Sequence, residues 1–193
     1  MSLTIVTAPS EEPLTQADAI AQLRLDTSQL DGLLDARIVA AREYAERYTG
    51  RALTTRTYDW TLDAFADILY VPMPPLQSVT SITYVDTAGT TQTLATSEYT
   101  VDKASQPGRI LPAHNKSWPS TRGHVNDVTI RFVAGYGAAA AVPYAIKAAM
   151  LLIVGEFDKR REHTIVGAPI AEVPLSALHL LDMWRMHHRV GNI

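Results

Sequence analysis

Two strongly helical segments, Ser28 to Gly50 and Pro143 to Glu162, stand far apart in this chain, and the long stretch between them consists of short β-like runs and Pro/Gly turns. A chain that makes a helix, leaves it for a sheet and returns to a second helix has few compact solutions. This order implies an α+β protein. Its body is mainly a helical bundle, about 14–52 and 142–190, with a small antiparallel β-rich subdomain inserted at about 53–137. At 193 residues, a single domain spanning 1–193 can bury a core of its own.

The helix boundaries have local chemical signals. Thr15 with Asp18, and Ser28 with Asp31, have the spacing of a capping box, so helices are expected to begin near residues 16 and 29. In the second, Leu30, Leu34, Ile38, Ala41, Ala45 and Tyr48 form one apolar stripe, and Arg37, Glu43, Glu46 and Arg47 lie off it until Gly50 stops the helix. Pro143 suits the first turn of another helix, in which Ile146, Met150, Ile153 and Phe157 make one apolar face and Ala145, Ala148, Ala149 and Leu152 a second. Two apolar faces predict a central bundle helix. Thr164 to Pro174 reads as a linker, and Leu175, Leu178, Leu181 and Trp184 mark a short amphipathic helix before the tail.

Between the helices the period changes to two. Tyr58, Trp60 and Leu62 alternate with Asp59, Thr61 and Asp63, which predicts a half-buried strand, and Ile68 to Val71 follows as another. Pro72, Pro74 and Pro75 restrict their stretch to a sheet edge or an extended crossing. Val79 to Val85 meets a turn at Asp86 to Gly89 and returns through Thr90 to Leu94 as a hairpin. Further strands are expected at Tyr99 to Val101, Arg109 to Leu111 and Val128 to Val133, with Asn115 to Asn126, including Trp118, as a surface loop.

Composition narrows the function. The chain has no cysteine, no apolar run long enough to span a bilayer, and no basic start followed by an apolar centre within Met1 to Glu12. Residence in a cytoplasm is the expectation. A net charge of -3 disfavours broad nucleic-acid binding, although Lys159, Arg160 and Arg161, and Arg185, His187, His188 and Arg189, form local basic clusters. Gly135-Tyr136-Gly137 followed by three alanines matches a relaxed dinucleotide pattern, with Asp158 downstream, but no βαβ alternation surrounds it. The two glycines read instead as a turn. His163, His179, His187 and His188 lack ligand spacing, and Asp59 and Asp63 fall on the polar side of a strand, with Asp67 beyond it. With no nucleophile elbow, P-loop or H-E-x-x-H motif, no enzyme, catalytic residue, metal or cofactor is expected.

One set of motifs, taken in order, is more specific. It comprises Leu23-Arg24-Leu25-Asp26, the run Ala41 to Arg51, Pro72-Met73-Pro74-Pro75-Leu76-Gln77-Ser78-Val79, Ser81 to Asp86, Pro107-Gly108-Arg109-Ile110, Trp118-Pro119, Phe132 to Tyr136, and Val142 to Ala149. Together they resemble the phage head-tail connector, or adaptor, family of long-tailed bacteriophages and gene transfer agents. The resemblance implies a ring of about twelve subunits beneath the portal protein. Such a ring closes the filled head and offers a surface to a downstream stopper or tail protein. DNA passes through its lumen without specific binding, and the protein resides in the particle neck. The resemblance also implies a C-terminal docking helix and tail, about 175–193, with Leu178, Leu181, Trp184, Arg185 and Met186 as portal contacts. A short helix on a Gly/Pro linker can order on binding, so removing 175–193 is expected to leave the fold intact. Two other classes compete. One is a nucleic-acid-binding packaging accessory protein using Arg160, Arg161 and the basic tail, and the other a nucleotide-using enzyme centred on Gly135 and Gly137.

Overall fold

The computed structural model describes residues 1–24, 32–159 and 173–186. Its elements run β1 (Ser2–Thr7), α1 (Gln16–Leu23), α2 (Leu34–Thr49), β2 (Arg56–Leu62), β3 (Leu69–Tyr70), β4 (Leu76–Val85), β5 (Thr91–Thr93), β6 (Tyr99–Asp102), β7 (Arg109–Pro112), β8 (Val128–Ala134), α3 (Tyr144–Lys159) and α4 (Leu175–Asp182). The expected mainly helical bundle with a small β insertion is corrected by this architecture. Of the described residues about 32% are helical and 27% strand, with two antiparallel sheets ordered β1-β2-β8-β4-β5 and β3-β7-β6. Two causes enlarge the sheets beyond the sequence reading. Ser2–Thr7 is a strand with no turn signal to announce it, and β4 begins at Leu76, with register shifts between Leu76 and Ser78 and between Val79 and Ser81 that let one ten-residue strand follow β8. Ser28, Asp31, Arg160, Arg161, His163, most of the 164–174 linker, His187, His188 and Arg189 lie outside the described residues.

The described chain divides into two compact units, Met1–Ser10 with Thr54–Gly137 and Glu11–Leu53 with Ala138–Ile193. In the first, the alternation read in β2 is realised: Tyr58, Trp60 and Leu62 are buried and lie opposite Phe132, Ile130 and Val128 of β8. The Tyr58 and Phe132 rings stack at 5.3 Å, and Ile82 of β4 covers the other side of Ile130 in the same register. The predicted hairpin turn also forms. The Asp86 carboxylate accepts the amides of Ala88 and Thr90 and the Gln92 side chain, each at 2.9 Å, and thereby aligns β5 on β4. In the 115–126 loop, Trp118 stacks on Phe65 at 4.7 Å and donates from Nε1 to the Ala66 carbonyl, so this aromatic closes one loop upon another.

A second carboxylate holds the β6–β7 connection. Asp102 accepts from Ser105 Oγ at 2.6 Å, from Arg109 Nε and Nη2 at 3.0 and 2.6 Å, and from the Ala104 and Ser105 amides. The Ser105 hydroxyl, then the Arg109 guanidinium and the amides, hold its carboxyl well below the usual carboxylate range. A depressed folded-state value gives stability that is complete above the unfolded value of about 3.9 and is lost as pH falls towards the folded value. Asp102→Asn is therefore expected to melt below the wild type at pH 7, with the gap closing as pH drops below about 4. Melting curves at both pH values test this, and a gap independent of pH would show that the charge is not what Ser105 and Arg109 recognise.

The second unit is helical. The Thr15 capping box is realised: Asp18 N donates to Thr15 Oγ1 at 3.1 Å, and Thr15 N donates to Asp18 Oδ2 at 2.9 Å. Helix α2 starts at Leu34 with no side-chain cap and ends at Gly50 as expected. Helix α3 packs on α1, α2 and α4. It does so through one face, Ile146, Ala149, Met150, Ile153 and Val154, while Ala148 is exposed and Phe157 partly so. The two-faced reading of α3 is thus narrowed to one. The stripe on α2 needs the opposite adjustment, because Arg42 and Glu46 are also buried. Arg42 Nη1 donates to Glu46 Oε2 at 2.9 Å and its Nε to Glu12 Oε2 at 2.7 Å, while Glu46 Oε1 accepts the Leu53 amide at 3.0 Å. This network joins α2 to the segments before and after it.

Candidate docking surface

A surface groove of the helical unit lies where the end of α4 meets the last turn of α2. Tyr44, Arg47 and Tyr48 occupy positions three and four apart on α2 and so share one face. The two tyrosine rings lie 6.1 Å apart and nearly parallel. Helix α4 is seated by Ala177 and Leu181, both wholly buried, which sets the chain after it against α2. There the Tyr48 hydroxyl donates to Asp182 at 2.6 Å, the Arg185 guanidinium lies 5.2 Å from the Tyr48 ring centre, and the Met186 amide donates to the Thr49 carbonyl at 2.8 Å. Arg51 donates from Nε to the Trp184 carbonyl at 2.6 Å, with its guanidinium 5.9 Å from the indole ring.

Tyr44, Arg47, Tyr48 and Arg185 line an open groove of about 300 Å³. The bond to Asp182, reinforced by desolvation, pushes the Tyr48 hydroxyl above its ordinary value and keeps it a neutral donor. Planar guanidinium groups beside aromatic faces suit a partner offering carboxylates, backbone carbonyls or a flat side chain, and Tyr, Trp and Arg dominate the energetics of protein interfaces.

The five C-terminal residues expected as contacts have different surroundings. Leu181 is buried in its own unit, Leu178, Trp184 and Met186 are half-buried, and Arg185 is exposed on the groove. Residues 184–186 come together with α2, whereas Leu181 faces inward. Tyr44, Arg47 and Tyr48 were missing from the expected contacts. The available signal was an aromatic pair four apart with an arginine between, but Tyr48 reads as part of the buried stripe when taken by period alone.

The other candidate sites have structural occupations. Gly135 sits at the end of an antiparallel strand, donates its amide to the Pro75 carbonyl at 2.9 Å and accepts from Gln77 Nε2 at 2.8 Å. The Ala139 amide, which a dinucleotide site would aim at phosphate, donates to Glu11 Oε1 at 2.9 Å, and Asp158 accepts from Arg37 at 3.1 Å. Asp59 takes both prongs of Arg131 at 2.8 and 2.7 Å, and Asp63 accepts the Asn126 amide. Among the described residues no group of three or more His, Cys, Asp or Glu side chains is disposed to hold a metal ion, and no helix is long and apolar enough to cross a membrane.

Neither a family model nor a curated protein matches the sequence. Solved structures do match it. The chain is similar to a chain of the neck of an empty gene transfer agent particle computed with C6 symmetry, with 27% identity, a TM-score of 0.78, and coverage of 100% of this chain and 99% of that one. It is similar also to a chain in the virion of a native gene transfer agent particle, with 26% identity, a TM-score of 0.79 and the same coverage. A third likeness is to a chain of the native particle neck computed with C12 symmetry, at 26% identity and a TM-score of 0.71. These likenesses bear out the resemblance to the head-tail connector family read from the ordered motifs.

Proposed function

We propose that this chain is a structural component of the neck of a gene transfer agent or related phage-like particle, where it forms a ring under the portal protein, closes the filled head and presents a tail-attachment surface. The observation that carries this reading is likeness along the whole chain, sheets and helices alike, to neck chains of such particles. Its mechanism is docking rather than catalysis. Cyclic symmetry in those necks favours a ring for this protein too, through heterologous contacts that repeat around an axis. A downstream stopper or tail protein occupies the opposite side, and a net charge of -3 favours DNA sliding through the lumen over holding it.

Within this function Arg185 and Trp184, together with Tyr44, Arg47 and Tyr48, make the portal contact, while Leu178, Leu181 and Met186 hold the helix and the chain after it in place. The burial of Leu181 and Ala177 also changes what a truncation would report. Removing residues 175–193 strips a packed helix from the core and is expected to damage the unit, so the informative variant is on the surface. Arg47→Glu/Arg185→Glu is expected to keep the wild-type melting temperature and to weaken binding to the cognate portal about tenfold or more. Native mass spectrometry and particle imaging of the protein with its portal supply the test. Unchanged binding by the variant would move the contact elsewhere, and a wild type that neither forms a ring nor joins a portal would overturn the function itself.

A further inference from the structure

The N-terminal strand β1 is chemically unusual for a sheet edge. It pairs with β2 on one side only, all six of its residues are exposed, and Ser2–Thr7 contains neither a charge nor a proline. Soluble proteins protect such edges with lysine, proline, a bulge or brevity; here the one irregularity falls between Ile5 and Thr7, at the strand's end. Register sharpens the point. Leu3 lies opposite Trp60 and Ile5 opposite Tyr58, so both share the face on which those two aromatics are buried. Yet Leu3 is 40% and Ile5 51% exposed, so the apolar layer over this face stops short of its outermost strand. Val6, at 45%, adds apolar surface to the same strand. What covers this edge must offer a strand and continue an apolar layer.

We propose that β1 is an inter-subunit strand, pairing in the assembled ring with the β5 edge of a second copy of this chain. The inference rests on the ring reading above. A cyclic assembly needs two different, mutually complementary surfaces on each subunit, and one sheet here carries both. Its order begins at β1 and ends at β5, Thr91–Thr93, whose three residues are also exposed and uncharged. Pairing β1 of one copy with β5 of the next removes both edges from solvent and leaves each copy with one used edge of each kind, so the contact propagates round the ring. A β1-to-β1 contact would instead close as a two-fold dimer and go no further.

The chain has no cysteine, so single thiols can be placed without background. One population of the full chain carries Thr4→Cys and another Gln92→Cys; each is assembled with portal and treated with a short bis-maleimide, alone and as a mixture. Covalent dimers confined to the mixture are the expected result. Dimers from Thr4→Cys alone would overturn the assignment in favour of a two-fold contact, and no dimers in any sample would overturn β1 as an interface strand. Ile5→Lys provides a readout that does not depend on register. It is expected to fold as the wild type does and to fail to form the ring, and a full ring from this variant would likewise overturn the proposal. Portal binding by single subunits is scored separately. If wild-type subunits do not join the portal, the neck function has failed; if they do and the β1 tests are negative, only the strand assignment has failed.

Discussion

Arg42→Met is expected to lower the unfolding free energy of the helical unit by about 3–5 kcal/mol. Arg42 is 5% exposed and Glu46 4% exposed, so neither charge has bulk water to fall back on. Methionine preserves much of the aliphatic volume and removes the cation that the Glu46 carboxylate faces at 2.9 Å and the Glu12 carboxylate faces at 2.7 Å. The cost is that of taking a facing cation away from a buried carboxylate, which exceeds what the intact pair contributes. Burial on its own would lower the guanidinium pKa, but hydrogen bonds to Glu12 and the charge of Glu46 outweigh it and the net direction is upward. Arg42→Met/Glu46→Gln is expected to regain most of the loss, because glutamine is uncharged and still offers an oxygen to the Leu53 amide. Denaturant midpoints of the three proteins decide the matter. A loss under about 1 kcal/mol in the single variant would mean that the Glu46 carboxylate is held without Arg42.

Gly135→Ala is expected to be the most damaging small substitution in the sheet unit. Gly135 has φ 126, a region that L side chains rarely enter, which by itself costs about 1–3 kcal/mol. A Cβ there would also run into the Thr54 carbonyl, which is backbone and cannot rotate away. Gly137 provides the control. Its φ is 110, yet a Cβ would meet nothing within 4 Å, so Gly137→Ala should carry the conformational cost without the collision. Thermal melts of the two variants separate the contributions: Gly135→Ala should melt well below Gly137→Ala. Equal melting temperatures would show that the Thr54 backbone yields.

The elements legible in the sequence are those whose causes are local. The Thr15–Asp18 box, the Gly50 stop, the alternation about Trp60 and the Asp86 turn each depend on residues within a few positions of one another, and each forms. The misreadings share a non-local cause. Strand β1 has the β-branched run Thr4-Ile5-Val6-Thr7, but the edge it joins belongs to β2, more than a helix pair further along. Glu46 reads as lying off the apolar stripe because charges on a helix usually face solvent, and its burial with Arg42 goes with partners at Glu12 and Leu53. The groove beside α4 was half legible for the same reason. Arg185 could be named from the family resemblance, but its aromatic neighbours lie on α2, and only the seating of Leu181 brings them together. Counting helical residues by periodicity then overstated the bundle and understated the sheets, whose share comes from pairings that periodicity does not see.

The dependence of β1 on β2 also sets an order of events during synthesis. Ser2–Thr7 leaves the ribosome before α1, α2 and the first residue of β2 have been made, so the strand waits on the order of several seconds for its partner at ordinary elongation rates. Throughout that interval an uncharged, β-forming segment is accessible to other nascent chains, and the helices made meanwhile cannot pair with it. On polysomes crowded with copies of one message, the edge proposed to join neighbours in a ring is also a place for them to join wrongly.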